Sequence, residues 1–182
     1  MRQSLLKTLL TVARIEASVM RLPNSKDRFL NDYWQCQPLL IKQAIPNFEN
    51  PISPDQLMKL SSDPRIMSQI ISKKKDLWES KSGPFSEKHF DRDDIWTLLL
   101  YNLDHWIRDI DCLRTEISFL PRWRFDNIMA SYAVNGAGVG PHFDSYDVFL
   151  LQGYGEKKWL IGQFCDETTP KLMHDKLDLI AD

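Results

Sequence analysis

The sequence is poor in cysteine, histidine and glycine, and it lacks any long uncharged apolar run. Its three cysteines, Cys36, Cys112 and Cys165, are odd in number, far apart and without a CxxC spacing. That excludes a disulfide scaffold or a thiolate zinc site and fits a reducing, cytoplasmic setting. No apolar stretch approaches the roughly 18–20 residues of a membrane span, so an integral membrane protein is excluded and no membrane partner is expected. Lys7 leaves too short an apolar stretch for a secretory signal. Of seven glycines, six (136, 138, 140, 153, 155 and 162) fall within 27 residues. Tight turns and close backbone approach are therefore concentrated in that zone.

What is present describes an ordinary globular chain. Apolar types make up 43% and charged types 26% of 182 residues, enough for one domain with a hydrophobic core. The net charge of −2 hides an asymmetry: residues 1–90 carry +5 (14 basic, 9 acidic) and residues 91–182 carry −7 (9 basic, 16 acidic). An acidic second half disfavours direct nucleic-acid contact and favours a basic ligand or protein partner. Solvated faces on a soluble domain account for it equally well.

The apolar stripe Leu6, Leu10, Ala13, Ala17, Met20 predicts an amphipathic helix over residues 1–21, set apart from a main body at 22–182. Asn24 or Ser25 is placed to cap a second helix through Phe29 and Leu30 to Trp34. Pro38 to Ile45 has strand character. Ser53-Pro54-Asp55-Gln56 combines a capping serine, proline at the first helical position and glutamine at the capping-box position. Arg65–Ser72 and Asp76–Ser80 suggest a hairpin around Lys73-Lys74-Lys75, a solvated turn rather than a phosphate site. Ile95, Leu98, Leu99, Trp106, Ile110 and Leu113 predict a helix over 91–116, with His105 a structural residue on it. From Ile128 onward the pattern becomes short strands separated by glycine turns.

Gly136-Ala-Gly138-Val-Gly140 is no nucleotide loop, because Pro141 and a strand follow where a phosphate-binding helix should begin. Next comes Pro141-His142-Phe143-Asp144. On a strand, His142 and Asp144 share one face while Phe143 faces the other. An imidazole and a carboxylate so placed are two of the three donors of the 2-His-1-carboxylate triad that holds non-haem Fe(II). The same His-x-Asp pair also occurs as a simple hydrogen-bonded couple. Val148–Leu151 has the pattern of a buried strand, and Glu156–Ile161 that of a returning one. There Lys157 shares a face with Trp159 and Ile161. An inward Lys157 needs an anion for company; otherwise Lys157 and Lys158 are the exposed start of the strand.

The run Gly140-Pro-His-Phe-Asp-Ser-Tyr-Asp-Val-Phe-Leu-Leu-Gln-Gly153 with Gly155-Glu-Lys-Lys-Trp159 resembles the cupin-type JmjC ribosomal oxygenases, most of all their bacterial arginine-hydroxylase branch. Trp34 with Pro38-Leu-Leu-Ile, Pro51-Ile-Ser-Pro-Asp55, Ser82-Gly-Pro-Phe85 and Leu120-Pro-Arg-Trp-Arg124 agree in order. The resemblance spans roughly residues 22–182. It implies an α+β fold: N-terminal helices and a hairpin lead into a double-stranded β-helix, the cupin/JmjC jelly roll, which this chain leaves incomplete. It further implies Fe(II) and the cosubstrate 2-oxoglutarate, with His142 and Asp144 as metal ligands. Lys157 matches the position that pairs with the distal carboxylate of 2-oxoglutarate, and Ser131 a strand position that contacts the same molecule. The implied activity is hydroxylation of an arginine on a large-subunit ribosomal protein, in the cytoplasm. The family's third ligand is a later histidine. His174, the sole histidine after Asp144, lies in a loop-like stretch too early to match it. The chain is accordingly expected to stop short of that ligand and of the family's homodimerisation region. A non-catalytic fragment or protein-binding module is the alternative.

Overall fold

The computed structural model describes residues 20–182 apart from 23, 24, 76, 163, 164, 166, 167, 171–178 and 180–182. The helix expected over residues 1–21 and His174 lie outside the described residues. The chain divides into two compact units, Met1–Pro51 with Asp104–Asn127 and Ile52–Leu103 with Ile128–Asp182. Among the described residues no helix is long and apolar enough to cross a membrane.

In the first unit, helix α1 spans Lys26–Asp32, and Ser25 caps it by accepting from the Arg28 amide. Its buried Phe29 meets Trp34 and Phe119 at ring separations of 6.1 and 5.3 Å. The strand expected over Pro38–Ile45 does not form. Gln43 and Asn47 take φ of 51° and 53°, turning the backbone, and no neighbouring strand is there to pair with. The segment expected to continue a helix to residue 116 is instead a short helix, α3, at Arg108–Cys112, followed by 3₁₀ turns at Leu113–Ile117 and Arg122–Arg124. The Asp104 carboxylate, fully buried, is held by the Arg114 guanidinium at 2.5 Å. Arg114 and Arg122 both reach Asp111 at 2.8 Å. His105 lies 3.5 Å from Asp104 as an exposed satellite of this network, a structural role.

The second unit is built on a four-stranded antiparallel sheet in the order β2-β1-β3-β4. Strand β1 is Ser68–Lys74, β2 Leu77–Ser82, β3 Trp96–Leu100 and β4 Ala130–Ala133. Helix α2 (Pro54–Leu60) precedes the sheet and begins with the complete capping box read from Ser53 and Gln56. The β1–β2 hairpin turns beside Lys75, whose φ is 56°, and Lys73, Lys74 and Lys75 are exposed there.

Strand β3 replaces the front of the expected helix. All five residues of Trp-Thr-Leu-Leu-Leu are buried, Leu98 and Leu100 completely. A short continuous apolar run satisfies helical spacing and a two-faced central strand equally, and the flanking strands β1 and β4 settle it as strand. Each fully buried leucine contributes on the order of 1.5–3 kcal/mol relative to exposure. This sheet forms part of a jelly roll. Its later strands, expected at 148–151 and 156–161, are not formed: both segments lack a ladder partner among the described residues. Val148, Leu150, Leu151, Leu160 and Ile161 are accordingly exposed.

Candidate metal and cosubstrate site

The face of the sheet that carries the site follows from register. Residues directly opposite in antiparallel strands point to the same side. Ser82, Gln69, Leu99 and Ser131 form one row across the four strands, and Ser80, Ile71, Thr97 and Ala133 the next. Trp78 and Lys73 pair one row further on, with the Lys73 ammonium 5.3 Å from the Trp78 ring. Polar groups on this face are linked: Tyr101 donates to Gln69 Oε1 at 2.8 Å, and Gln69 Nε2 donates to Ser80 Oγ at 2.6 Å. Burial pushes the Tyr101 phenol above its ordinary pKa, and the Tyr146 phenol adds to that. Ser131 lies beside Leu99 on this face and is exposed.

The glycine segment after β4 crosses the same face. Thr97, buried on β3, donates its hydroxyl to the Gly138 carbonyl at 3.0 Å. Gly140 has a φ of +85°, and a Cβ there would meet the Trp78 ring at 3.1 Å. Only glycine combines that backbone angle with so close an approach. No helix follows, in keeping with the rejection of a nucleotide loop.

His142 comes next, in an isolated bridge to Leu179 rather than in a strand. Its Nδ1 lies 2.9 Å from the Gly140 carbonyl oxygen. A carbonyl only accepts, so Nδ1 is the donor in this contact, and in the neutral imidazole the lone pair is then on Nε2. That Nε2 lies 3.9 Å from Asp144 Oδ2, and both side chains are partly exposed. The two side chains thus lie on one side, and a neutral imidazole that donates from Nδ1 offers Nε2 as a donor to a metal. Among the described residues no group of three His, Cys, Asp or Glu is placed to hold a metal ion. Among the described residues the donor chemistry fits two positions of a facial triad and supplies no third.

Lys157 and Ser131 form no hydrogen bond or ion pair with the His142–Asp144 pair. Lys157 is half-buried and its Nζ stacks 4.7 Å from the centroid of the Trp159 ring, whereas Lys158 is exposed. Burial lowers the Lys157 pKa. No strand forms over 156–161, so neither an inward-facing strand position nor an exposed strand start describes Lys157, which is half-buried against Trp159. The roles of Trp78 and Thr97 were not legible beforehand, because both act through the glycine segment far along the chain.

Residues 112–182 match the JmjC domain family. The chain is 37% identical over 143 residues to a probable ribosomal oxygenase of Haemophilus influenzae, covering 78% of this chain and 35% of that protein. It is 38% identical over 135 residues to the ribosomal protein uL16 3-hydroxylase of Escherichia coli, covering 74% and 36%. Among solved structures it is similar to the Escherichia coli ribosomal oxygenase YcfD in complex with cobalt and 2-oxoglutarate, with a TM-score of 0.65 and 35% identity. That match covers 71% of this chain and 35% of the other. The chain thus spans about a third of the length of the relatives it matches.

Proposed function

We propose, from the JmjC match over residues 112–182 and the similarity to bacterial ribosomal oxygenases, that this chain contributes the front of a 2-oxoglutarate- and Fe(II)-dependent site that hydroxylates an arginine of a large-subunit ribosomal protein. The observation that carries the reading is the His142–Asp144 pair, with Nδ1 on the Gly140 carbonyl and Nε2 turned to the carboxylate side. His142 and Asp144 would hold the metal, and Lys157 and Ser131 the cosubstrate. When bound, Fe(II) would supply O2 activation, one oxygen atom going to succinate as 2-oxoglutarate loses CO2 and the other to a substrate C–H bond. The chain's own part is to orient His142 through the Gly140 carbonyl and to offer the Lys157 cation to the distal carboxylate. A cytoplasmic site of action and the absence of direct nucleic-acid contact belong to the same proposal, as does the residue boundary between 21 and 22.

The test is succinate release from 2-oxoglutarate in the presence of a ribosomal-protein substrate, with Co(II) spectroscopy as a binding readout. Activity lost in His142→Ala, together with loss of the Co(II) absorption bands, supports the reading. Unchanged Co(II) binding in His142→Ala and Asp144→Ala would sink it.

A second reading, a non-catalytic protein-binding module, is favoured by one observation: the described residues supply only two metal donors, while Val148, Leu150, Leu160 and Ile161 stand exposed. Capture of a ribosomal protein without any succinate release, insensitive to His142→Ala, is its expected signature.

A further inference from the structure

We propose that Trp159 is a positioning residue for the cosubstrate, its indole face holding the Lys157 ammonium where the distal carboxylate of 2-oxoglutarate would meet it. This rests on the cosubstrate reading above and adds a residue to it. The Lys157 Nζ lies 4.7 Å from the Trp159 centroid, well inside the roughly 6 Å over which a ring quadrupole attracts a cation.

The choice of an aromatic partner has a chemical consequence. A carboxylate in that place would neutralise the ammonium, and an incoming dicarboxylate would have to displace it. An indole holds the cation yet leaves its charge and its outward N–H donors for the ligand. Lysine needs such help more than arginine does. Its ammonium is a point charge on a flexible four-carbon stem, with no planar fork to fix a carboxylate in register. Ordering that stem before the ligand arrives removes part of the entropic cost of binding. The two neighbouring lysines show the difference: Lys157 is half-buried on the ring, and Lys158, without a ring beneath it, is exposed.

The arrangement is local. Lys157 and Trp159 are two residues apart, and the 4.7 Å contact places their side chains on one side. Trp159 is itself 45% exposed. Replacing it therefore leaves the sheet core untouched, and a binding effect is separable from unfolding.

The experiment compares 2-oxoglutarate binding, by calorimetry in the presence of Co(II), in the full chain and in Trp159→Phe and Trp159→Leu. Leucine fills the space without a quadrupole, whereas phenylalanine keeps an aromatic face. Trp159→Leu is expected to weaken binding about two- to fivefold, and Trp159→Phe clearly less. Co(II) affinity should be equal in all three. In a Lys157→Met background, Trp159→Leu should have no further effect, and saturating 2-oxoglutarate should change indole emission in the full chain but not in Trp159→Phe. Equal losses in the Phe and Leu variants, or a Leu effect that persists without Lys157, would mean packing and overturn the proposal. Native-like binding by Trp159→Leu overturns this proposal alone. A native chain that takes up no 2-oxoglutarate overturns the cosubstrate reading and this proposal with it.

Discussion

Gly140 stands so close to Leu179 that a Cβ on the glycine would lie 2.5 Å from Leu179 Cδ2. Leu179 is 2% exposed and is the residue bridged to His142, so the fit at Gly140 controls where the first candidate ligand sits. Gly140→Ala forces a side chain into that contact and onto a φ of +85°. Either the turn opens or Leu179 and Trp78 give way, and in both cases the carbonyl that orients His142 Nδ1 moves. We expect Co(II) affinity to fall about tenfold, the lower end of what disturbing such an outer partner costs. A Co(II) titration checks this, with the circular-dichroism melt as control for folding.

The pH dependence of cosubstrate binding follows from Lys157. Its pKa is lowered by burial, so the ammonium loses its proton at a pH where an ordinary lysine is still charged. Affinity for 2-oxoglutarate is expected to decline on the alkaline side through that lowered pKa, and Lys157→Met should abolish the alkaline limb. Stability moves the other way. The folded chain binds fewer protons than the unfolded one between the lowered pKa and the ordinary lysine value, so this residue's contribution to stability rises with pH across that window. Calorimetric titrations at stepped pH, paired with denaturant melts, separate the two.

Removing Arg114 should be costly. It is the partner of the fully buried Asp104 carboxylate and also bonds Asp111. Arg114→Ala takes the guanidinium away from a buried carboxylate, with an expected loss of about 3 kcal/mol in urea unfolding. Asp111 in the same network is held below the usual carboxylate range by Arg122 first and then by burial-opposed contributions from Arg122 and Arg114 charge. Its contribution is present above the unfolded carboxylate pKa and is lost as pH falls through the lowered one. An acid titration of Arg122→Met should show less of that loss than the native chain.

Ser53→Ala removes the side-chain acceptor of the Gln56 amide while leaving the Gln56 side chain on the Ser53 amide. A loss of about 1 kcal/mol is expected, read as a lower urea midpoint with unchanged slope.

Features within a few residues of one another were legible in the sequence. Ser25 and Ser53 are caps wherever a helix follows, because the groups they satisfy lie two or three residues away. His142 and Asp144 share a side on any extended backbone, and Lys157 and Trp159 do so for the same reason. The hairpin around Lys73–Lys75 was set by two polar-flanked runs on either side of a short turn.

Tertiary structure decided what depends on a distant partner. Trp96–Leu100 satisfies helical spacing as well as strand burial, and only β1 on one side and β4 on the other make it a strand. Residues 38–45, 148–151 and 156–161 have strand composition, yet a strand exists only where another chain segment accepts its backbone hydrogen bonds. The orientation of the His142 ring was decided in the same way, by a glycine carbonyl whose placement depends on Thr97, Trp78 and Leu179. The sequence by itself determined which donors face together. The packing of residues far apart along the chain determined which of them are held still, because burial and backbone pairing are properties of neighbours that local spacing does not specify.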